Sequence, residues 1–382
     1  MERGGRTRIA GRTIRLLALE TLALAVSLSA PGQAPVITSF SQNGVLVCSN
    51  LYPGSTATVQ QASSLIGTWS NLVAMTAGSN QSIVAEVPVI VAGAPMFYRV
   101  LGVAVPAGMA VIPAGDFTMG DNLDGTSDAL PLHTVYVSAF YMDRYEVTKA
   151  LWDDVYSWAV AHGYSFEYGA VGKANNHPTQ TVTWFESAKW CNARSEKEGK
   201  VPAYYTDAGL SVRYRSGWVA PYVSWSSGYR LPTEAEWEKA ARSGTSGQRF
   251  PWGDTISWSQ ANYNANPSGY PYDVNPTSGY NPAWTSGGTP YTTAVGSFGA
   301  NAYGLYDMAG NVSEWCWDWY GSYSSAAQND PRGPTGGTSR VHRGGGWADR
   351  APGCRTAAYR SYRAANSRFN FIGFRCVLSA AQ

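Results

Sequence analysis

The stretch RVHRGGGWADRAPGCRTAAYR, residues 340–360, places one thiol, Cys354, among glycines, a tryptophan and short basic runs. Nearby cations favour the thiolate, so this is a setting in which a cysteine could act as a nucleophile or a soft-metal ligand. Two-thiolate chemistry needs a second cysteine close by, and five positions upstream stands Asp349 instead. A carboxylate forms no disulfide and, as a hard ligand, suits Cu(I) poorly. The other cysteines are Cys48, Cys191, Cys316 and Cys376, and no CxxC pair or zinc-type Cys/His spacing occurs. The four histidines, His133, His162, His177 and His342, are scattered and form no HExxH or similar pattern, so each reads as a structural or surface residue.

The elements that must position this segment belong to a chain of 382 residues, long enough for two domains. Lys and Arg number 28 against 26 Asp and Glu, a net charge of +2, which gives no electrostatic footprint for nucleic acid. Charged residues make up only 14%, aromatics reach 13% and there are 41 glycines. That balance predicts a loop-rich fold held by aromatic packing. At the start, MERGGRTRIAGRTIR is basic, LLALETLALAVSLSA is mostly apolar and APGQA is small, the order of parts of a cleaved export signal over 1–34. The mature protein is then expected to be exported: secreted, periplasmic or at the cell surface. A membrane partner is expected only if this segment stays uncleaved. An odd cysteine count in an oxidising compartment leaves at least one thiol unpaired within the chain.

Residues 35–103 carry β-branched runs divided by Gly, Pro, Ser and Asn, which predicts a small all-β, sandwich-like module without a catalytic signature. From about Gly108 the pattern changes and three helices are predicted. The first has Thr148 as N-cap, Leu151, Val155 and Trp158 as its apolar stripe, and Gly163 as its stop. The second opens on a capping box of Thr183 and Glu186 and ends at Gly199; the third opens on Thr233 and Glu236, with Trp237, Ala240 and Ala241 on one face. Beyond about 245 there are turns and short β-like runs but no long helix. The class is α+β with much irregular structure.

Eight segments in order, MAVIPAGDFTMGD, YEVTKALWDDV, HPTQTVTWFESAKWC, YRLPTEAEWEKAAR, FPWGD, VGSFGANAYGLYDMAGNVSEW, RVHRGGGW and IGFRC, make residues 106–378 resemble the sulfatase-modifying factor domain, the family of the formylglycine-generating enzymes. The resemblance implies a C-type-lectin-like fold. In the active members a copper-bound cysteine pair oxidises a sulfatase cysteine to formylglycine with oxygen. Aligned on RGGGW, Cys354 takes the place of the second of these cysteines and Asp349 that of the first. Gly346 stands for the serine of RGGS, Phe371 for the asparagine before GFRC, and Ser313 for the tryptophan of GNxWEW. The resemblance therefore implies a degenerate pocket, with copper expected only if oxidase activity survives on Cys354. Four scattered histidines do not supply the iron site of the ergothioneine-type branch.

The same resemblance implies calcium at a loop in which Asp307 and Glu314 offer carboxylates and Gly310 and Val312 carbonyls, which is hard-cation chemistry. It implies a second site that includes Asn262 and the Tyr263 carbonyl, with Asp273 as a further candidate. It pairs Cys191 with Cys376, while Ala241 and Tyr359 occupy the places of the family's other disulfide. Cys316 is expected as a buried thiol, and the partners of Cys48 and Cys354 stay open. The C-terminal loops would present Trp347, Asp349, Arg350, Tyr359, Tyr362, Arg363, Phe369, Asn370 and Phe371 as a recognition surface for a protein or small ligand. This segment also resembles the diversified region of lectin-fold proteins altered by retroelements. A calcium-stabilised binding domain and an oxidase with an altered site are the two functions the residues leave in competition.

Overall fold

The computed structural model describes residues 105–357 and 360–380, together with residues 17–19, 22–24, 36–40, 45–49, 51, 56–62, 70–76, 82–86 and 97–101 of the N-terminal part. The predicted export signal lies, apart from two three-residue strands, outside the described residues. The chain divides into two compact units, Met1–Ala107 and Gly108–Gln382.

The first unit contains two three-stranded antiparallel sheets. In one, Val45–Ser49 lies between Val36–Phe40 and Ile83–Glu86; in the other, Thr56–Ala62 lies between Ser70–Thr76 and Phe97–Leu101. Alternate residues Leu46 and Cys48 of one sheet and Ala57 and Val59 of the other share a core with Tyr98, as the period of two along a strand requires. Cys48 is an inward-facing thiol whose pKa burial pushes up to about 12.

The second unit is mixed. Strand Phe140–Asp143 is flanked by Met109–Ile112 and by the C-terminal Val377–Ser379. Strand His133–Val137 pairs with Gly115–Met119 on one side and Gln328–Asn329 on the other. A four-stranded sheet runs in the order Ser361–Arg363, Arg340–Arg343, Ser313–Trp319, Ile372–Gly373. The helices are α1 (Lys149–Ala161), α2 (Trp184–Lys197) and α3 (Glu234–Arg242).

All three predicted helix starts occur. Thr148 accepts from Leu151 N, and both capping boxes, Thr183 with Glu186 and Thr233 with Glu236, are closed in both directions. The α1 stripe is a correction. Trp152, Val155 and Ala159 are buried, whereas Leu151 and Trp158 are only half-buried. The face turns by one residue because Trp152 stacks on Trp190 of α2 and meets the Phe374 edge, while Trp158 lies flat on His162.

Polar residues hold the interior as much as apolar ones. Every residue of α3 is buried, including Glu234, Glu236, Glu238, Lys239 and Arg242. Arg360 and Arg343 reach Glu234 and Glu238 from distant segments, Arg230 pairs with Glu236 from just before the helix, Arg242 pairs with Glu238 within it, and Lys239 donates to the Gly115 and Val137 carbonyls. A buried charge left without a partner is costly, so the Arg343 and Arg360 pairs fasten the irregular C-terminal half to the helix.

Asp318 accepts the Glu234 N–H at 2.8 Å and so caps α3 from the neighbouring strand. Burial and the nearby Glu234 push its pKa up to about 8. A carboxyl with a raised folded-state pKa stabilises fully below its unfolded pKa, and that stability is lost as pH rises through 8. Each unit of pH across the window removes about 1.4 kcal/mol at most. Asp318→Asn keeps the acceptor and abolishes the titration. The variant is expected to gain on the wild type in urea melts between pH 5 and pH 8; equal slopes in both proteins would contradict this.

Candidate functional site

Cys354 ends a short 3-10 turn, Ala351–Cys354, which follows the glycine turn after strand Arg340–Arg343. Gly345 has a φ of +65°, and a Cβ there would meet the Gly353 carbonyl oxygen at 2.7 Å. Only glycine lets the two turns close on each other. The thiol is fully buried in a cluster with Phe250, Ile256, Ala261, Tyr263, Ala265, Ala309 and Ala351. Burial first, and then the Asp349 and Asp273 carboxylates, push its pKa well above that of a free cysteine. That is the reverse of the electropositive, part-exposed setting of a reactive thiolate.

Asp349 folds back on its own turn. It accepts the Gly346 N–H at 2.8 Å, while its own N–H donates to the Gly346 carbonyl at 2.9 Å. Burial raises its pKa. Gly346 and Phe371 are linked sterically, since a Cβ at 346 would meet the Phe371 carbonyl oxygen at 2.8 Å and its Cβ at 3.2 Å. A serine there requires Phe371 to move. Ser313, on the adjacent strand, donates its N–H to the Phe371 carbonyl, and its buried hydroxyl has no hydrogen-bond partner among the described residues.

The predicted recognition surface is only partly a surface. Trp347 is 5% exposed; it packs on Tyr280 and Tyr291 and donates its indole N–H to the Asn370 carbonyl. Asp349 is engaged as described, and Asn370 and Phe371 are half-buried. Tyr362 and Arg363 are exposed but alternate along the edge strand: Tyr362 stacks on Tyr320, whereas Arg363 lies over Phe369. Phe369 stacks on Phe371. Arg350 is exposed and donates to the Asn264 side chain and the Ala265 carbonyl. Tyr359 lies outside the described residues.

The 307–314 turn brings together a group that the sequence only half reveals. Asp307 sits at φ +56°; one carboxylate oxygen accepts the Gly296 N–H, and the other, also buried, has no partner among the described residues. Glu314 does not point to an open position. Arg375 binds both its oxygens at 2.7 and 2.6 Å, and Trp237 adds a third donor. The missed residue is Glu146, which accepts from Val312 N and the Asn311 side chain. Burial, Asp307 and Glu314 push its pKa well up, and burial pushes that of Asp307 up to about 6. Three carboxylates thus share the field of the Arg375 guanidinium. Among the described residues no three Asp, Glu, His or Cys side chains converge as a metal cluster. A cation here would be held by Asp307 and Glu146 with main-chain oxygens, and Glu314 would act through Arg375.

At the second predicted site, the Asn262 amide donates to the Tyr291 carbonyl, and the Tyr263 carbonyl accepts from Trp258. Asp273 takes the Tyr263 hydroxyl, the Asn275 amide and the Asn266 N–H. The single carboxylate is saturated by protein donors. Cys191 and Cys376 are brought together, their sulfurs 3.5 Å apart as buried free thiols. Cys316 is buried as well.

Residues 102–380 match the family described as sulfatase-modifying factor enzyme 1-like domain. The chain belongs to that family. Its second unit and the family match cover the same ground, so the α+β fold with short strands around three helices is the family's fold. The formylglycine-generating enzyme of Thermomonospora curvata is 33% identical over 305 residues, spanning 71% of this chain and 93% of that protein. The mouse formylglycine-generating enzyme is 34% identical over 301 residues, 70% of this chain and 74% of that one. Among solved structures, Treponema denticola variable protein 1 superposes with a TM-score of 0.54 at 28% identity, covering 71% of this chain and 94% of its own.

Proposed function

We propose that the chain is an exported, calcium-stabilised recognition protein built on a sulfatase-modifying-factor domain whose oxidase pocket is degenerate. The observation that carries the reading is Cys354: a lone thiol held protonated in an apolar cluster, with a carboxylate where the family's first cysteine would stand. Gly346 and Phe371 support it, since they close on each other where the active members would have Ser and Asn. The test is turnover. With copper and oxygen supplied, the protein is expected to leave a sulfatase-type CxPxR peptide thiol unchanged. Aldehyde formation that vanishes in Cys354→Ala would overturn the reading.

The competing oxidase function draws on one observation, the 33% identity to an enzyme of which this chain covers 93%. In that case copper would supply the oxygen chemistry and Cys354 would be its thiolate ligand. The thiol would first have to lose a proton that its surroundings hold firmly.

Calcium fits the orphaned Asp307 oxygen and the crowded Glu146 carboxylate, because a cation relieves their mutual repulsion. Chelation is expected to lower Tm. At free calcium a hundredfold above Kd the stabilisation is about 2.7 kcal/mol, and Asp307→Asn is expected to abolish the calcium dependence. Identical melts in calcium and in chelator would remove calcium from the account.

A further inference from the structure

The arginines divide sharply. Of the eight buried ones among the described residues, seven meet a carboxylate: Arg194, Arg230, Arg242, Arg343, Arg355, Arg360 and Arg375. On the 347–371 face, Arg350, Arg363 and Arg368 have no carboxylate within ion-pair distance among the described residues. Their hydrogen bonds go to neutral oxygens: Arg363 to its neighbour's carbonyl, Arg368 to the Thr181 and Gly169 carbonyls, and Arg350 to Asn264 and Ala265. A guanidinium has five N–H donors, so each keeps donors to spare.

Arg363 and Arg368 each lie over one of two aromatic pairs on this face. Arg363 lies over Phe369, and Phe369 stacks on Phe371. Arg368 lies over Tyr168 at 4.0 Å, and Tyr168 packs against Trp218. Phe369, Tyr168 and Trp218 stay 36%, 39% and 36% exposed. The carboxylates nearby are already engaged: Lys189 holds Glu167, and Asp349 is tied back to Gly346. The face therefore offers positive charge and aromatic area together.

Resting on the recognition reading above, we propose that the partner of this face is an acidic polypeptide segment. Its carboxylates pair with Arg363 and Arg368, and its apolar side chains lie on Phe369, Phe371 and Trp218. A polyanionic glycan would pair with the arginines but bring no apolar side chains to the two aromatic pairs. Unpaired arginine beside aromatic side chains is the composition of an interface hot spot, and complementary charge sets which partner docks.

The experiment uses the full chain and fluorescence anisotropy of a labelled dodecapeptide rich in Glu and Phe, with its Lys-for-Glu counterpart. The acidic peptide is expected to bind, more weakly as salt rises, and its counterpart is not. Arg363→Glu removes a bond to the neighbouring carbonyl and the contact over the exposed Phe369 ring, both at the surface, so it is expected to fold as the wild type and to weaken binding at least about tenfold. Arg332→Glu, outside this face, is expected to bind as before. Equal affinity for both peptides overturns the proposal, as does an undiminished Arg363→Glu, or binding of heparin at these arginines without binding of the acidic peptide. Selection from a random peptide library separates the two levels. Binders that depend on Phe369 and Phe371 but lack acidic bias overturn this proposal and leave the recognition reading standing; no such dependence in any binder overturns both.

Discussion

Replacing Arg375 with methionine is expected to cost about 3–5 kcal/mol of unfolding free energy, the range for stripping one partner from a buried ion pair. Arg375 is fully buried and binds both oxygens of Glu314. It also donates to the carbonyls of Asp143, Arg144 and Tyr306, and so joins four segments of the second unit. Its loss leaves the Glu314 carboxylate with Trp237 as its donor and takes one donor from each of three carbonyls, of which that of Arg144 still accepts from Tyr306 N. It also removes a positive charge whose field reaches Glu146 and Asp307. A second change, Glu314→Gln, is expected to recover part of the loss, because the uncompensated charge disappears while the Trp237 acceptor remains. Chemical denaturation of both singles and the double closes the cycle. A cost below about 1 kcal/mol for Arg375→Met would put this pair in the class of exposed ion pairs and contradict the view that buried charge fastens the C-terminal half.

The second large effect concerns Cys191, on α2, and Cys376, just before the last strand, whose free thiols face each other. They are 185 positions apart. Closing a loop of that length restricts the unfolded chain by about 5 kcal/mol on the chain-entropy account. The oxidised protein is therefore expected to melt well above the reduced one, with Cys191→Ser insensitive to reductant. Cys191 is fully buried, so Cys191→Ser also places a hydroxyl in the core and should melt below the reduced wild type by about 1–3 kcal/mol at most, less than the loss of the bridge. If oxidant leaves the wild-type melt unchanged while mass spectrometry still finds both thiols, the pair is a packing contact and no bridge forms.

How much of this fold is legible in the sequence follows from how local each signal is. Helix starts are written within four residues, and Thr183 with Glu186 and Thr233 with Glu236 are readable as capping boxes from residue type and spacing alone. The buried face of α1 is not, because it is set by Trp190 and Phe374, which lie far along the chain. The charge network is equally hidden. Glu234 and Arg360 are 126 positions apart, and nothing around either shows that both are buried. At the site, Asp307 is recognisable from its loop, but Glu146 lies at the start of YEVTKALWDDV, a segment read for its helix start and not for its carboxylate. Its nearness to the turn depends on the Val312 N–H it accepts. The one available signal is a lone carboxylate between an apolar strand and a helix cap. The aromatic-rich C-terminal segment is legible as composition only. Trp347 and Phe369 look alike in the sequence, yet the first is packed on Tyr280 and Tyr291 and the second is exposed.

The most direct test of the account is a Cu(I) titration of the fully reduced protein against a competing chelator, with Cys354→Ala in parallel. The account predicts no tight stoichiometric binding that depends on Cys354, since its thiol is buried, protonated and without a second thiolate. Tight one-to-one copper in the wild type that disappears in Cys354→Ala would contradict it and restore the oxidase function despite Asp349.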